Sequence, residues 1–171
     1  MLVALELDDA ARVAHGLAKR SNGLDAAQLL GEAAQEGKLW DLESGAELRT
    51  LQGHTDGVWA VAVTPDGKRA VSASADQTLK LWDLGSGAEL RTLQGHTDGV
   101  RAVAVAPNGK RAVSASDDQT LNLWDLESGK FIATFSGDSA ITACAAGPDS
   151  RTFVASESSA RIHFLRLEGV D

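Results

Sequence analysis

His54, Ser72 and Asp76 fall in one short block, and these are the residue types of a hydrolase that attacks with an activated hydroxyl. In that reading His54 takes the proton of Ser72 while Asp76 orients the imidazole. Two features oppose it. No Gly-x-Ser-x-Gly elbow or other nucleophile-presenting turn occurs in the chain. The set also recurs as His96, Ser114 and Asp118, and duplication suits a structural role better than an active site. His15 and His163 lack companion ligands at metal spacing, and no phosphate-cradling glycine loop is present. Neither a metal nor a cofactor is expected. Cys144 is the single cysteine, so no intrachain disulfide can form, and its neighbours Ala143, Ala145 and Ala146 predict a buried structural thiol.

The elements that position these residues follow from a repeat. Leu39 to Gly45, Leu81 to Gly87 and Leu123 to Gly129 read LWDLESG, LWDLGSG and LWDLESG, and Trp40-Asp41, Trp82-Asp83 and Trp124-Asp125 are spaced 42 residues apart. A period of roughly 40–45 residues with a Trp-Asp pair is what a four-stranded propeller blade produces. Between Asp41–Trp82 and Asp83–Trp124 only 6 of 42 positions differ: Glu43/Gly85, Trp59/Arg101, Thr64/Ala106, Asp66/Asn108, Ala75/Asp117 and Lys80/Asn122. Copies this similar can pair interchangeably, which makes register slips and swaps a hazard.

Within a unit, Val58 to Val63, Arg69 to Ser74, Thr78 to Asp83 and Glu89 to Leu93 are predicted strands. Pro65-Asp66-Gly67-Lys68 and Ala75-Asp76-Gln77 are the turns between them. The expected divisions are a partial unit over 37–52, full units over 53–94 and 95–136, and a degenerate one over 137–167. In the last, Asp138, Ala155, Ser159 and Leu165 stand where the histidine, first serine, aspartate and tryptophan are expected, and one residue is missing before Pro148. Residues 1–36 fall outside the repeat; apolar residues at helical spacing predict two short helices, Asp9 to Lys19 and Asp25 to Gln35. The fold class expected is all-β: a partial propeller of about three four-stranded blades, with a short N-terminal helical segment that caps a sheet edge.

The blocks GHTDGVWAVAVTPDGKRAVSASADQTLKLWD (Gly53 to Asp83) and GHTDGVRAVAVAPNGKRAVSASDDQTLNLWD (Gly95 to Asp125) resemble WD-repeat propeller blades. The resemblance implies a hydrogen-bonded network in each intact blade: His54, Ser72, Asp76 and Trp82, then His96, Ser114, Asp118 and Trp124. The chemistry agrees, since an indole N–H only donates, a carboxylate only accepts, and a neutral imidazole and a hydroxyl link them. Ser74 or Ser116 has the strand parity to take the serine's place. The C-terminal stretch SGDSAITACAAGPDSRTFVASESSARIHFLRLEG also resembles the closing repeat of bacterial WD-repeat arrays often fused to signalling NTPases.

The resemblance further implies a protein- or peptide-binding scaffold rather than an enzyme, with contacts on the face around the central channel. Trp59, Arg101 and Thr142, together with Ala75 and Asp117, stand at positions that commonly reach that face. Two of the six differences between the near-identical copies fall there, and Trp and Arg are enriched at interface hot spots. Neutral surface variation accounts for the same differences equally well. The alternative function is that of a C-terminal fragment of a longer bacterial signalling or NTPase-linked array, with no independent activity; hydrolysis by His54 and Ser72 is a remote third.

A formal charge of -8 opposes a nucleic-acid or anionic-membrane partner and favours a neutral or basic protein. No signal peptide or membrane-spanning run is read in the sequence, so a cytoplasmic location is expected. Thirteen strands make three blades and one strand over, below the roughly 4–8 blades of closed propellers. Closure is therefore expected through a homo-oligomer, an open arc with capped edges, or missing blades of a longer protein. Glu47 to Leu51 is expected to complete the three strands of the last unit, either within the chain or from a neighbour.

Overall fold

A computed structural model describes residues 36–40 and 46–169. All regular structure among these residues is β. The strands are β1 (Glu36–Trp40), β2 (Glu47–Gln52), β3 (Val58–Val63), β4 (Arg69–Ser74), β5 (Leu79–Asp83), β6 (Glu89–Leu93), β7 (Val100–Val105), β8 (Arg111–Ser116), β9 (Thr120–Asp125), β10 (Phe131–Ser136), β11 (Ile141–Ala146), β12 (Thr152–Glu157) and β13 (Ile162–Arg166). They form four antiparallel sheets in chain order: the pair β1-β2, the meanders β3-β4-β5-β6 and β7-β8-β9-β10, and the three strands β11-β12-β13. The two helices predicted within residues 1–36 lie outside the described residues.

Local chemistry sets the meanders. In the β3–β4 turn Gly67 takes φ +69, its N–H donates to the Thr64 carbonyl at 2.8 Å, and Thr64 Oγ1 donates to Asp66 Oδ1 at 2.6 Å. The next sheet keeps the same turn with Ala106 and Asn108, where the Lys110 N–H donates to Asn108 Oδ1 at 3.0 Å. The two substitutions compensate, because the loss of the threonine hydroxyl coincides with the loss of the carboxylate that accepted from it.

The sheets stack face to face, with β3, β7 and β11 side by side and β6 and β10 on the outer edges. Val71, Ala73, Leu79, Leu81 and Leu93 of the second sheet form one core with Val100, Val103, Trp124 and Leu126 of the third. Val113, Ala115, Leu121 and Leu123 pack likewise on Ile141, Phe153 and Ala155 of the fourth, and Leu39 and Leu51 of the first pack on Ala70, Trp82 and Leu84. Successive side chains of a strand face opposite ways, so each sheet contributes one apolar face to each neighbour.

One expectation is corrected. Within the chain Glu47 to Leu51 does not complete the last unit; it pairs with β1 in the register Leu39↔Arg49 and Gly37↔Leu51. Pairing with β1 turns Leu51 into the core beside Leu39, a burial that places both on the second sheet. The fourth sheet consequently ends at β13.

Candidate functional site

The loop before β3 carries His54, β4 carries Ser72, the β4–β5 turn carries Asp76 and β5 carries Trp82, and the meander brings all four together. The Trp82 indole N–H donates to Ser72 Oγ at 2.8 Å, Ser72 Oγ lies 2.7 Å from His54 Nε2, and His54 Nδ1 lies 2.8 Å from Asp76 Oδ2. The third sheet repeats the chain through Trp124, Ser114, His96 and Asp118 at 2.8, 2.7 and 2.8 Å. Ser74 and Ser116 do not take the serine's place: Ser74 Oγ donates to the Asp56 carbonyl at 3.0 Å and Ser116 Oγ to that of Asp98 at 3.1 Å.

Protonation follows from burial. Desolvation lowers the His54 and His96 pKa values against the raising effect of their aspartates, so both rings are neutral near pH 7. A neutral ring donates from Nδ1 to the carboxylate and accepts at Nε2 from the serine hydroxyl. Burial raises the Asp76 carboxyl, but hydrogen bonds from Thr78, the Thr55 N–H and His54 outweigh it and hold the group at about 2. Asp118 is lowered by the equivalent balance. The spacing of serine, histidine and aspartate is that of a nucleophilic triad. Ser72 is nevertheless only 4% exposed, and its oxygen already accepts the indole N–H.

The fourth sheet replaces this network with one that the sequence did not disclose. Glu157, at the position of Ser74, is buried and accepts from Ser159 Oγ at 2.7 Å, the Asp138 N–H at 3.1 Å and Ser139 Oγ at 3.3 Å. His163 Nε2 lies 2.9 Å from Glu157 Oε1, the oxygen that the Asp138 N–H also reaches, and its ring packs on Phe135 with centroids 4.7 Å apart. The Ser159 hydroxyl, opposed by burial and joined by Asp138, His163 and Ser139, holds Glu157 at about 2. The available signal was that a glutamate takes the place of the second serine and a histidine stands two residues before the lapsed tryptophan position. A Cβ at Gly137 would collide with this carboxylate. Gly137→Ala is therefore expected to destabilise the chain by about 1–3 kcal/mol, read from the denaturant midpoint, because displacing a buried carboxylate leaves its donors unsatisfied.

The residues expected on the channel face form a cluster across two sheets. Arg101 Cζ lies 4.4 Å from the centroid of the Trp59 ring, and the Arg101 guanidinium grips Asp117 with Nε at 2.9 Å from both carboxylate oxygens and Nη2 at 2.7 Å from Oδ2. The Trp59 ring lies over Gly99, whose lack of a side chain admits it, with the Ala75 backbone alongside. Hydrogen bonding to Asp117 raises the Arg101 pKa further above its ordinary value. Thr142 stands at the equivalent position of the fourth sheet, exposed, its hydroxyl donating to the Ser156 carbonyl at 3.3 Å.

Cys144 is half-buried as a residue, but its thiol sits in the core between the third and fourth sheets and donates to the Val113 carbonyl at 3.5 Å. Burial pushes that thiol up to about 12, so it stays protonated. Among the described residues no group of three His, Cys, Asp or Glu side chains is placed to hold a metal ion. No helix among them is long and apolar enough to cross a membrane.

Comparison with known proteins meets the same repeats. The WD domain, G-beta repeat family matches residues 45–83, 87–125 and 129–163, which is more than half of the chain. Among curated proteins, Coronin-7 of Mus musculus is 44% identical over 39 residues, covering 23% of this chain and 4% of Coronin-7. The chain thus spans a small fraction of that relative's length. The first two matches end on Trp82-Asp83 and Trp124-Asp125, each of the three joins the last strand of one sheet to strands of the next, and the chain belongs to the WD domain, G-beta repeat family.

Proposed function

We propose that this chain is a non-catalytic scaffold that binds a protein or peptide through the channel face bearing Trp59, Arg101 and Asp117. The observation that carries this reading is the cluster itself. Trp59 and Arg101 are held in a fixed mutual geometry before any partner arrives, yet Arg101 keeps 48% of its side chain exposed. A pre-ordered aromatic and guanidinium lose little entropy on binding, the property that makes such residues affinity anchors. Ala75 and Thr142 flank the anchors as complementary surface. The -8 charge favours a neutral or basic segment over nucleic acid or an anionic membrane, and the cytoplasm is the proposed location.

The non-catalytic part rests on the capped hydroxyl. Attack by Ser72 would require breaking the Trp82 hydrogen bond and opening a core position to a substrate. A second reading, a part of a longer bacterial signalling or NTPase-linked array, is supported by the resemblance of the C-terminal stretch.

The test is a Trp59→Ala, Arg101→Ala double variant measured against peptides selected on the wild-type chain. Affinity is expected to fall about tenfold or more, equivalent to about 1.4 kcal/mol, with circular dichroism unchanged. Undiminished affinity would remove this face as the site.

A further inference from the structure

The outward face of the fourth sheet is built as a blade-docking face, and among the described residues no blade lies on it. Ile162 is 62% and Phe164 77% exposed, whereas their counterparts Leu79 and Leu81 in the second sheet are 0% and 1% exposed, and Leu121 and Leu123 in the third 4% and 6%. The register sets Ile162 opposite Ser156 and Phe164 opposite Val154, with Ala143 and Ala145 beyond, and Arg166, opposite Thr152, is the charged side chain that β13 adds at the far end of the same face. A surface presenting two large exposed apolar residues with a charge only at its margin is the kind that marks an interaction site.

The chain itself states what covers such a face. Leu39 and Leu51 share a core with Trp82, Leu79 and Leu81 with Trp124, and Leu121 and Leu123 with Leu165. Three times over, the apolar pair of one sheet is covered by the residue at the Trp-Asp tryptophan position of the next. Trp40 holds that position in β1, and among the described residues no sheet precedes β1. Among the described residues, then, no sheet covers the Ile162 and Phe164 face, and β1 brings the repeat's covering position to the opposite end of the stack.

We propose that Ile162 and Phe164 form a self-association surface that receives the β1–β2 sheet of a second copy of this chain, head to tail. β13 is the third strand of its sheet, and β1 aligns with the third strand of the repeat, so the two meet at the same distance from the channel. Four sheets in each of two copies give eight blade positions, at the upper end of the closed range of roughly 4–8, so a pair of contacts can close a ring rather than run on as a filament. The inference goes beyond partner binding at Trp59 and Arg101 and does not depend on it.

The test is light scattering on the full chain over a micromolar concentration series. Wild-type protein is expected at about twice the 17.9 kDa chain mass, more fully so as salt screens the repulsion between two chains of charge -8. An Ile162→Asp, Phe164→Asp variant and, separately, a Trp40→Ala variant are expected at single-chain mass with unchanged circular dichroism. Mixing the two variants restores one contact per pair, and with it the doubled mass. A monomeric wild type, an assembly that weakens as salt rises, or one untouched by the Ile162 and Phe164 changes overturns the proposal. Loss of the dimer in that variant but not in Trp40→Ala overturns it too, since the face would then meet another surface.

Discussion

Trp82→Ala is expected to cost about 3–5 kcal/mol of stability, a large share of the 5–15 kcal/mol that holds an ordinary domain together. Three losses coincide at this residue. Its ring is 2% exposed and fills the boundary between the first two sheets against Leu39, Leu51, Ala70 and Leu84, so truncation opens a cavity in a core shared by both. Its indole N–H is a donor to Ser72 Oγ, which would be left with only the histidine. Gly53 closes over the same ring, a Cβ there lying 3.2 Å from it, so the loop that carries His54 loses its floor. Trp82→Phe separates these contributions by keeping most of the ring area and removing the donor, and a smaller loss of about 1–3 kcal/mol is expected. Guanidinium denaturation of the three proteins reads both differences. A Trp82→Ala chain within about 1 kcal/mol of wild type would show that the first sheet contributes little to the fold, because cavity formation at a working boundary costs more than that.

The blades were legible because their signals are local and repeated. Alternating Val and Ala, the Pro-Asp-Gly turn and the 42-residue spacing of the Trp-Asp pairs lie within a few residues of the elements they create. The network residues were legible through the resemblance to WD-repeat blades, with which the donor and acceptor capacities of an indole, a hydroxyl, an imidazole and a carboxylate agree. Ser72 and Ser74 share a strand parity, so the sequence left them as alternatives. The structure separates them by depth, with Ser72 under the indole and Ser74 at the Asp56 carbonyl.

The couplings between distant residues were not legible. The differences between near-identical blades fall into partnerships in space: Thr64 with Asp66, and Arg101 with Asp117 beneath Trp59. Lys80 likewise donates to Glu89 at 2.7 Å and Thr92 at 2.9 Å, while Asn122 of the next blade has Phe131 where the glutamate would be and lies against His96 instead. Periodicity reports which face a residue occupies, and it says nothing about which residue of the neighbouring strand or sheet it touches. The pairing of β2 with β1 was missed on the same ground, since the strand sequence Glu-Leu-Arg-Thr-Leu is identical in β2 and β6 and fits any third strand of the repeat equally well.

Asp76→Asn provides the sharpest test of the network, because it changes charge and donor pattern while leaving shape almost intact. The wild-type carboxylate accepts four hydrogen bonds: from His54 Nδ1 at 2.8 Å and the Thr55 N–H at 3.0 Å on Oδ2, and from the Thr78 N–H at 3.0 Å and Thr78 Oγ1 at 2.6 Å on Oδ1. An amide offers one accepting oxygen, and its NH2 would face two of these donors. Leaving two donors unsatisfied in a mostly buried turn is expected to cost about 2–4 kcal/mol at pH 7. The pH dependence identifies the cause. The carboxyl is held at about 2 in the folded chain against an ordinary 3.8, so its contribution is fully present above 3.8 and disappears as pH falls from there through about 2. His54 is lowered from 6.5 by burial, so its neutral form belongs to the folded state, and stability declines as pH drops below 6.5 in both proteins, the more so in the variant, which lacks the carboxylate that raises the His54 pKa. The gap between wild type and Asp76→Asn should thus stay wide above pH 3.8 and narrow toward pH 2, where the wild-type group is itself protonated. A gap that stays constant throughout that range would mean that the aspartate acts through its shape alone.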